Sequence, residues 1–105
     1  MIRQVDPADG SSIEVNAGEP FEIVLPENPT TGYVWHVDER HALEDAGEPA
    51  FEPAGSAVGA GGFRTFRLRA PTSGQSTLAL TLKRPGGAST ADARRISIAV
   101  RKSGD

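Results

Sequence analysis

The segment from residue 78 to residue 87 reads LALTLKRPGG. Its leucines alternate with small or polar residues, so that every second side chain points to the same face of an extended strand. The alternation ends at Lys83, and Pro85 with two glycines then marks a tight turn. An alternating strand that ends in a short turn is typical of an antiparallel sheet with one face on the core and one in solvent.

The same alternation recurs on both sides of this segment. Apolar residues occupy every second position in five further stretches: Ile13 and Val15; Phe21, Ile23 and Leu25; Trp35 and Val37; Phe66, Leu68 and Ala70; and Ile96, Ile98 and Val100. Glycine and proline signals separate the stretches. The pattern predicts an all-β fold, an immunoglobulin-like antiparallel β-sandwich of about seven to eight strands with Trp35 in its core. We expect a helical turn only between Asp38 and Asp45.

Length and composition narrow the class of protein. The chain has 105 residues, and we expect a single domain over residues 1–105 with residues 102–105 as a frayed tail. The absence of cysteine excludes a thiol nucleophile and a disulfide framework. No apolar run approaches the roughly 20 residues of a membrane span. The N-terminus has no apolar stretch of signal-peptide type, which leaves open an intracellular protein and an exported one whose leader has been removed.

The charges are distributed unevenly along the chain. The net charge is −3, which argues against nucleic-acid binding. Residues 1–53 hold 12 acidic and 2 basic residues, whereas residues 54–105 hold 2 acidic and 9 basic residues. One interpretation is that strands of the two halves lie side by side and pair their charges across a sheet. The other is a basic end that steers a partner.

Residues 26–33, the first loop, connect the strand that ends at Leu25 to the strand that carries Trp35. Pro26 and Pro29 remove backbone donors, so we expect no strand pairing here. Gly32 tolerates a backbone conformation that other residues avoid. We therefore expect a stiff projecting loop with a small polar tip, which would lose little entropy on binding a partner. The alternative is an ordinary connection whose prolines protect against aggregation.

Two further loops carry unusual residues. Residues 58–63, the second loop, contain three glycines, but no Lys-Ser or Lys-Thr follows and the next segment alternates as a strand, which excludes a phosphate-binding loop. It is either a bare backbone that another surface can approach or a hinge. Residues 83–87, the third loop, present Arg84 either to a partner or to solvent. In an immunoglobulin-like sandwich, alternate connections meet at one end, so we expect all three loops there.

These loops resemble the motifs of the chagasin-type inhibitors of papain-like cysteine proteases. The first loop contains the motif Asn28-Pro29-Thr30-Thr31-Gly32-Tyr33, followed by Val34-Trp35. The family's second motif, Gly-X-Gly-Gly, is matched by Gly59-Ala60-Gly61-Gly62, and the start of its third by Arg84-Pro85. The family has an aromatic residue after Arg-Pro, where this chain has Gly86. That departure implies weaker binding or a narrower range of targets.

The resemblance implies an immunoglobulin-like fold and reversible, tight-binding inhibition of papain-like (clan CA) cysteine proteases of the cathepsin type. The first loop would enter the active-site cleft, with the other two on its flanks. The residues expected to touch the protease are Asn28, Pro29, Thr30, Thr31, Gly32, Tyr33, Gly59, Ala60, Gly61, Gly62, Arg84, Pro85 and Gly86. No cofactor, metal, nucleic acid or membrane is expected, and the protein is expected to be a monomer.

Three other readings of the sequence compete with inhibition. An enzyme of the Ser-His-Asp type would need a catalytic triad, and the spacing of His36 and His41 from serine and aspartate residues does not indicate one. The candidate for a metal site is His41 with Glu39 and Glu44, which would have to converge. We expect His36 to face solvent or a cross-strand partner, and Arg94-Arg95 to be a solvated pair at a strand start. A generic immunoglobulin-like binding or adhesion module would explain the fold but not the three motifs.

Overall fold

The computed structural model describes residues 1–55, 61–87 and 89–102. Within these residues the chain forms nine strands and a single 3₁₀ turn, Pro29–Thr31. The strands are β1 (Ile2–Val5), β2 (Ser12–Asn16), β3 (Phe21–Glu27), β4 (Val34–Glu39), β5 (Glu44–Asp45), β6 (Ala50–Pro53), β7 (Gly62–Arg69), β8 (Gly74–Lys83) and β9 (Thr90–Arg101). None of the described ranges forms a helix that could span a membrane.

The strands form two sheets that pack as a sandwich. One sheet has the order β1-β3-β7-β5, with β6 also paired to β7, and the other has the order β2-β9-β8-β4. The all-β sandwich is confirmed. Its sheets are mixed rather than purely antiparallel, because β1 pairs with β3 and β2 pairs with β9 in parallel. Two parallel neighbours cannot be joined by a two-residue hairpin, because the chain must first return to the end where the first strand began. Here β2 lies in the chain between β1 and β3, and β3 to β8 lie between β2 and β9.

The core lies between the sheets and consists of the alternating residues. Trp35 is 3% exposed, which confirms its predicted place in the core. The other alternating positions that are buried are Ile13, Val15, Phe21, Ile23, Leu25, Phe66, Leu68, Ala70, Leu78, Leu80, Ile96, Ile98 and Val100. Because side chains alternate across a strand, burying one face of each strand leaves the other face for polar residues.

Strand β3 continues two residues beyond Leu25, which corrects the expectation that the prolines end strand pairing. Pro26 lies opposite Phe63 and Glu27 opposite Gly62 on β7. The partner on the other side, β1, pairs with β3 only as far as Val24. At Pro26, β3 is therefore an edge on that side, where a missing backbone donor breaks no ladder.

Ion pairs connect the acidic and basic halves of the sequence, as the first interpretation of the charge asymmetry predicted. Five pairs join a base after residue 53 to an acid before it: Arg64–Glu27, Arg69–Glu44, Arg94–Asp6, Arg95–Glu39 and Arg101–Glu14. Most are exposed, and exposed pairs contribute little stability each. The Arg64–Glu27 pair differs, because its carboxylate is buried.

Candidate functional site

The tip of the first loop is a 3₁₀ turn that its own side chains hold. Asn28 is the N-cap, and its Oδ1 accepts hydrogen bonds from the Thr30 backbone N–H at 3.1 Å and the Thr30 hydroxyl at 2.7 Å. The Thr31 hydroxyl donates to the Asn28 carbonyl at 2.7 Å and accepts from the Tyr33 N–H at 3.2 Å. Gly32 ends the turn at φ +80°. The tip is thus exposed yet internally braced, as the stiff-loop prediction required.

The only 3₁₀ turn in the described residues therefore lies outside Asp38–Asp45, where the helical turn was expected. That stretch instead contains the end of β4, a hydrogen-bonded turn at His41 and Ala42 that does not continue as a helix, and the short β5. The signal for the observed turn is present in the sequence. Asn at the N-cap, proline at the first helical position and glycine after the last favour a helical turn.

The third loop is a tight turn that contacts the first loop. The Gly87 N–H donates to the Arg84 carbonyl at 2.9 Å, which closes a four-residue turn with Gly86 at φ +75°. Arg84 Nε donates to the Thr31 carbonyl at 3.2 Å, and its guanidinium lies 4.8 Å from the centre of the Tyr33 ring. A cation over an aromatic face is attracted by the ring quadrupole. Arg84 thereby joins the two loops.

The aromatic residue expected after Arg-Pro is replaced by a glycine in a left-handed conformation. A Cβ on Gly86 would meet no atom within 4 Å, so the side chain is absent for backbone reasons rather than for lack of space. A residue other than glycine at this φ would be strained. The backbone conformation of this turn therefore favours glycine at residue 86.

The second loop is described only from Gly61 onward, and Gly59 and Ala60 lie outside the described residues. A Cβ on Gly61 would lie 3.6 Å from Cβ of Asn28, which places this glycine beside the first loop. At Gly62, a Cβ would lie 2.2 Å from the Glu52 carbonyl oxygen and 2.9 Å from Cα of Pro53. Gly62 is thus required by the close approach of β6 to β7.

The three loops meet at one end of the sandwich, and we call the surface that their described residues form the loop edge. The two contacts of Arg84 join the third loop to the first, and the approach of Gly61 to Asn28 joins the second loop to the first. Between the first and second loops lies a cavity of about 540 Å³, lined mostly by apolar atoms and including Tyr33 and Phe63. Asn28, Pro29, Thr30, Thr31, Gly32, Tyr33, Gly61, Gly62, Arg84, Pro85 and Gly86 all belong to this edge.

Sequence reasoning missed a buried acid beneath the loop edge. Glu27 is 4% exposed at the end of β3. Its Oε1 accepts a hydrogen bond from the Trp35 N–H at 3.0 Å, and its Oε2 accepts two from Arg64, at 3.1 and 2.6 Å. The sequence contains a signal for this, because Glu27 continues the inward-facing alternation of Phe21, Ile23 and Leu25.

Arg94 was also missed, and it is not the solvated residue that was expected. Its side chain is 13% exposed, and its guanidinium lies 5.4 Å from the centre of the Trp35 ring. It donates to Asp6 at 2.7 Å and to Asp92 at 2.8 Å. The hydrogen bond from Arg94 is the main reason why the pKa of the Asp92 carboxyl is below its usual value of 3.8, although partial burial opposes it.

The Asp92–Arg94 pair predicts part of the acid sensitivity of the fold. Because the pKa of Asp92 is lower in the folded than in the unfolded protein, its stabilising effect is present above about pH 4 and is lost as the pH falls through the folded value. Urea unfolding from about pH 6 to about pH 2 should therefore show a shallower acid decline for Asp92→Asn than for the original sequence. Identical declines would show that Asp92 titrates without linkage to folding.

The two histidines lie in β4 and in the turn that follows it. His36 lies opposite Thr81 on β8 and is half-buried, and its Nε2 has no hydrogen-bond partner in the described part of the chain. His41 Nε2 lies 2.7 Å from Glu39, and its Nδ1 accepts from the Thr77 N–H at 3.2 Å. The described residues contain no group of three or more histidines and acids arranged to hold a metal ion.

Known structures share this fold. EhICP2, a cysteine protease inhibitor from Entamoeba histolytica, has a TM-score of 0.77 at 19% identity, covering 94% of this chain and 97% of its own. PbICP-C, determined in complex with falcipain-2, has a TM-score of 0.64 at 15% identity, covering 98% of this chain and 100% of its own. At these identities the likeness establishes the shared fold.

Sequence comparison identifies the family. Chagasin from Trypanosoma cruzi is 29% identical over 96 residues, which cover 86% of this chain and 87% of chagasin. Amoebiasin-1 from Entamoeba histolytica is 33% identical over 78 residues, which cover 73% of this chain and 76% of amoebiasin-1. Residues 14–100 match the sequence model described as chagasin family peptidase inhibitor I42. With most of its length matched in this way, the chain belongs to the chagasin family of peptidase inhibitors, and it is an inhibitor rather than an enzyme.

Proposed function

We propose that the loop edge plugs the active-site cleft of a papain-like cysteine protease of the cathepsin type. The tip of the first loop enters the cleft, and the second and third loops lie against its two sides. The observation that carries this proposal is the convergence of three separate loops, two of them tied together by Arg84. A generic adhesion module would not need these loops to meet.

The geometry of the tip suits a plug that is not itself cleaved. Thr30 and Thr31 are exposed and small, so the tip is narrow. The hydrogen bonds of Asn28 and Thr31 hold it as a 3₁₀ turn, so it does not offer an extended segment to a catalytic site. Because the turn is already ordered, binding would cost less conformational entropy than the docking of a floppy loop.

The chemistry of the flanks supports contacts on both sides of a groove. On one side, Gly61 is only partly buried and has no side chain, which lets a partner approach the backbone closely, whereas Gly62 is buried against β6. On the other side, Arg84 offers a forked donor that suits carboxylates. PbICP-C, which shares this fold, was solved with falcipain-2 bound, and we extend protease binding to this chain by analogy.

Steady-state inhibition assays test the proposal. The protein should inhibit papain and cathepsin-type proteases competitively and reversibly, so that activity returns on dilution. A chymotrypsin-type serine protease provides the specificity control, and its activity should not change. If micromolar protein leaves several papain-like enzymes fully active, the loop edge does not inhibit these proteases. A generic immunoglobulin-like binding or adhesion module then becomes the better interpretation.

A further inference from the structure

Glu27 holds a position that loop recognition alone does not explain. Among the described residues it is the one charged residue that is buried, with a side chain that is 1% exposed. A buried carboxylate is costly unless charge and hydrogen bonds compensate it. Its partner Arg64 is itself 24% exposed and reaches inward from β7. The pair lies directly beneath the loop edge.

Glu27 links the two ends of the first loop. Glu27 precedes the 3₁₀ turn in the chain, and its Oε1 accepts a hydrogen bond from the N–H of Trp35, just after the loop. A second bond closes the same gap, because Trp35 Nε1 donates to the Pro26 carbonyl at 2.8 Å. These two bonds fix the distance between the ends of the first loop.

The same carboxylate also reaches the strand that leaves the second loop. Arg64 follows Gly62 by two residues on β7, and it donates twice to Oε2 of Glu27. The Arg64 guanidinium also lies 5.4 Å from the centre of the Phe51 ring on β6, the strand before the second loop. One carboxylate thus joins the base of the first loop to the strands on both sides of the second loop.

We propose that Glu27 is a positioning residue, which sets the first and second loops of the inhibitor at the spacing that a protease cleft requires. This inference rests on the proposed function. Buried ion pairs can often be replaced by apolar residues without loss of stability. Glu27 and Arg64 would therefore contribute mainly the geometry of the loops rather than the stability of the sandwich.

The decisive variant replaces both partners, Glu27→Met together with Arg64→Leu. We expect this variant to unfold at a moderately lower urea concentration than the original protein, because no charge remains buried without a partner but the Trp35 N–H loses its acceptor. We expect its inhibition constant for papain to rise about tenfold, because the loops must be ordered during binding. The single variant Glu27→Gln leaves Arg64 without its carboxylate and should lose both affinity and stability.

Loop order provides a readout that does not depend on any protease. The N–H groups of Thr31 and Gly32 donate within the loop, to Asn28 and Pro29, and neither contacts Glu27. Their ¹⁵N order parameters should fall from about 0.85 to below about 0.6 in the double variant, because the tip, although held by its own hydrogen bonds, would swing as a unit once the Glu27–Trp35 bond between its ends is removed. The matched control is Glu44→Gln, which removes the exposed ion pair with Arg69 in the same sheet and should change neither readout.

The two hypotheses fail in different ways. If the original protein does not inhibit papain, the proposed function fails, and the order parameters alone decide the role of Glu27. If the double variant keeps the order parameters of the original protein and inhibits papain equally well, Glu27 does not position the loops. A double variant that loses stability and affinity in proportion, with an ordered tip, would also overturn the inference, because Glu27 would then be structural only.

Discussion

Thr31→Glu is expected to weaken the inhibition of papain by about a hundredfold, which corresponds to about 2.7 kcal/mol of binding free energy. Thr31 is exposed at the tip that we propose enters the cleft. A longer, charged side chain there would widen the tip and place a carboxylate in a desolvated groove without an assigned partner. The effect should appear in the inhibition constant measured against a fluorogenic substrate.

The same substitution should leave the fold nearly unchanged. The hydroxyl of Thr31 makes two exposed hydrogen bonds within the loop, and bonds of that kind contribute about 1 kcal/mol each or less. The free energy of unfolding should therefore fall by no more than about 1–2 kcal/mol. Thr72→Glu, in the exposed connection between β7 and β8 at the opposite end, is the matched control and should inhibit normally. Undiminished inhibition by Thr31→Glu would show that the tip does not enter the cleft.

Gly62→Ala is expected to lower the free energy of unfolding by about 1–3 kcal/mol. The added Cβ would lie 2.2 Å from the carbonyl oxygen of Glu52, which is a backbone atom in a paired strand. To avoid this clash, β6 would have to move away from β7, because the nearest atom belongs to the backbone and not to the end of a flexible side chain. Urea denaturation of the purified variant measures the loss directly.

Gly47→Ala is the matched control for this prediction. A Cβ on Gly47 would meet Cδ of Arg67 at 3.6 Å, an ordinary contact with a flexible side chain. Its stability should stay within about 0.5 kcal/mol of the original, since a well-tolerated alanine also restricts the unfolded chain. If Gly62→Ala were as stable as Gly47→Ala, the close approach of β6 would not be what requires a glycine in the second motif.

The sandwich and its core were predictable because their signal is local. Alternation at Phe21, Ile23 and Leu25 or at Ile96, Ile98 and Val100 reports a buried face without knowledge of the neighbouring strand. The direction of strand pairing, in contrast, was not predictable from local patterns. The parallel pairing of β1 with β3 and of β2 with β9 depends on where distant segments lie, so short-range patterns predicted only antiparallel sheets.

The loop edge was predictable from its motifs, but its supports were not recognised. Glu27 and Arg94 both continue an inward-facing alternation, and both are charged. A charged residue at such a position usually marks the end of the buried face, so neither was assigned a buried partner. Each charge pairs with a residue distant in sequence: Glu27 with Arg64 on β7, and Arg94 with Asp6, just after β1.

Pro26, at the start of the first loop, is another residue whose structural place could not be predicted from the sequence around it. Pro26 reads as the end of a strand, because proline cannot donate to a ladder. Its place within β3 becomes acceptable only because β1 stops pairing at Val24 and leaves that edge free. The length of a neighbouring strand therefore decided the outcome, and that length cannot be read from the residues around Pro26.

Amide hydrogen exchange of this chain, with and without a saturating amount of papain, tests the central claim most directly. The account predicts that papain slows exchange at residues 28–33 and in the turn at residues 84–87, on the two described loops that Arg84 joins. Residues 71–74, at the other end of the sandwich, should exchange at the same rate in both samples. Slowed exchange at residues 71–74 with none at residues 28–33 would contradict the account, because the protease would then bind the wrong end of the molecule.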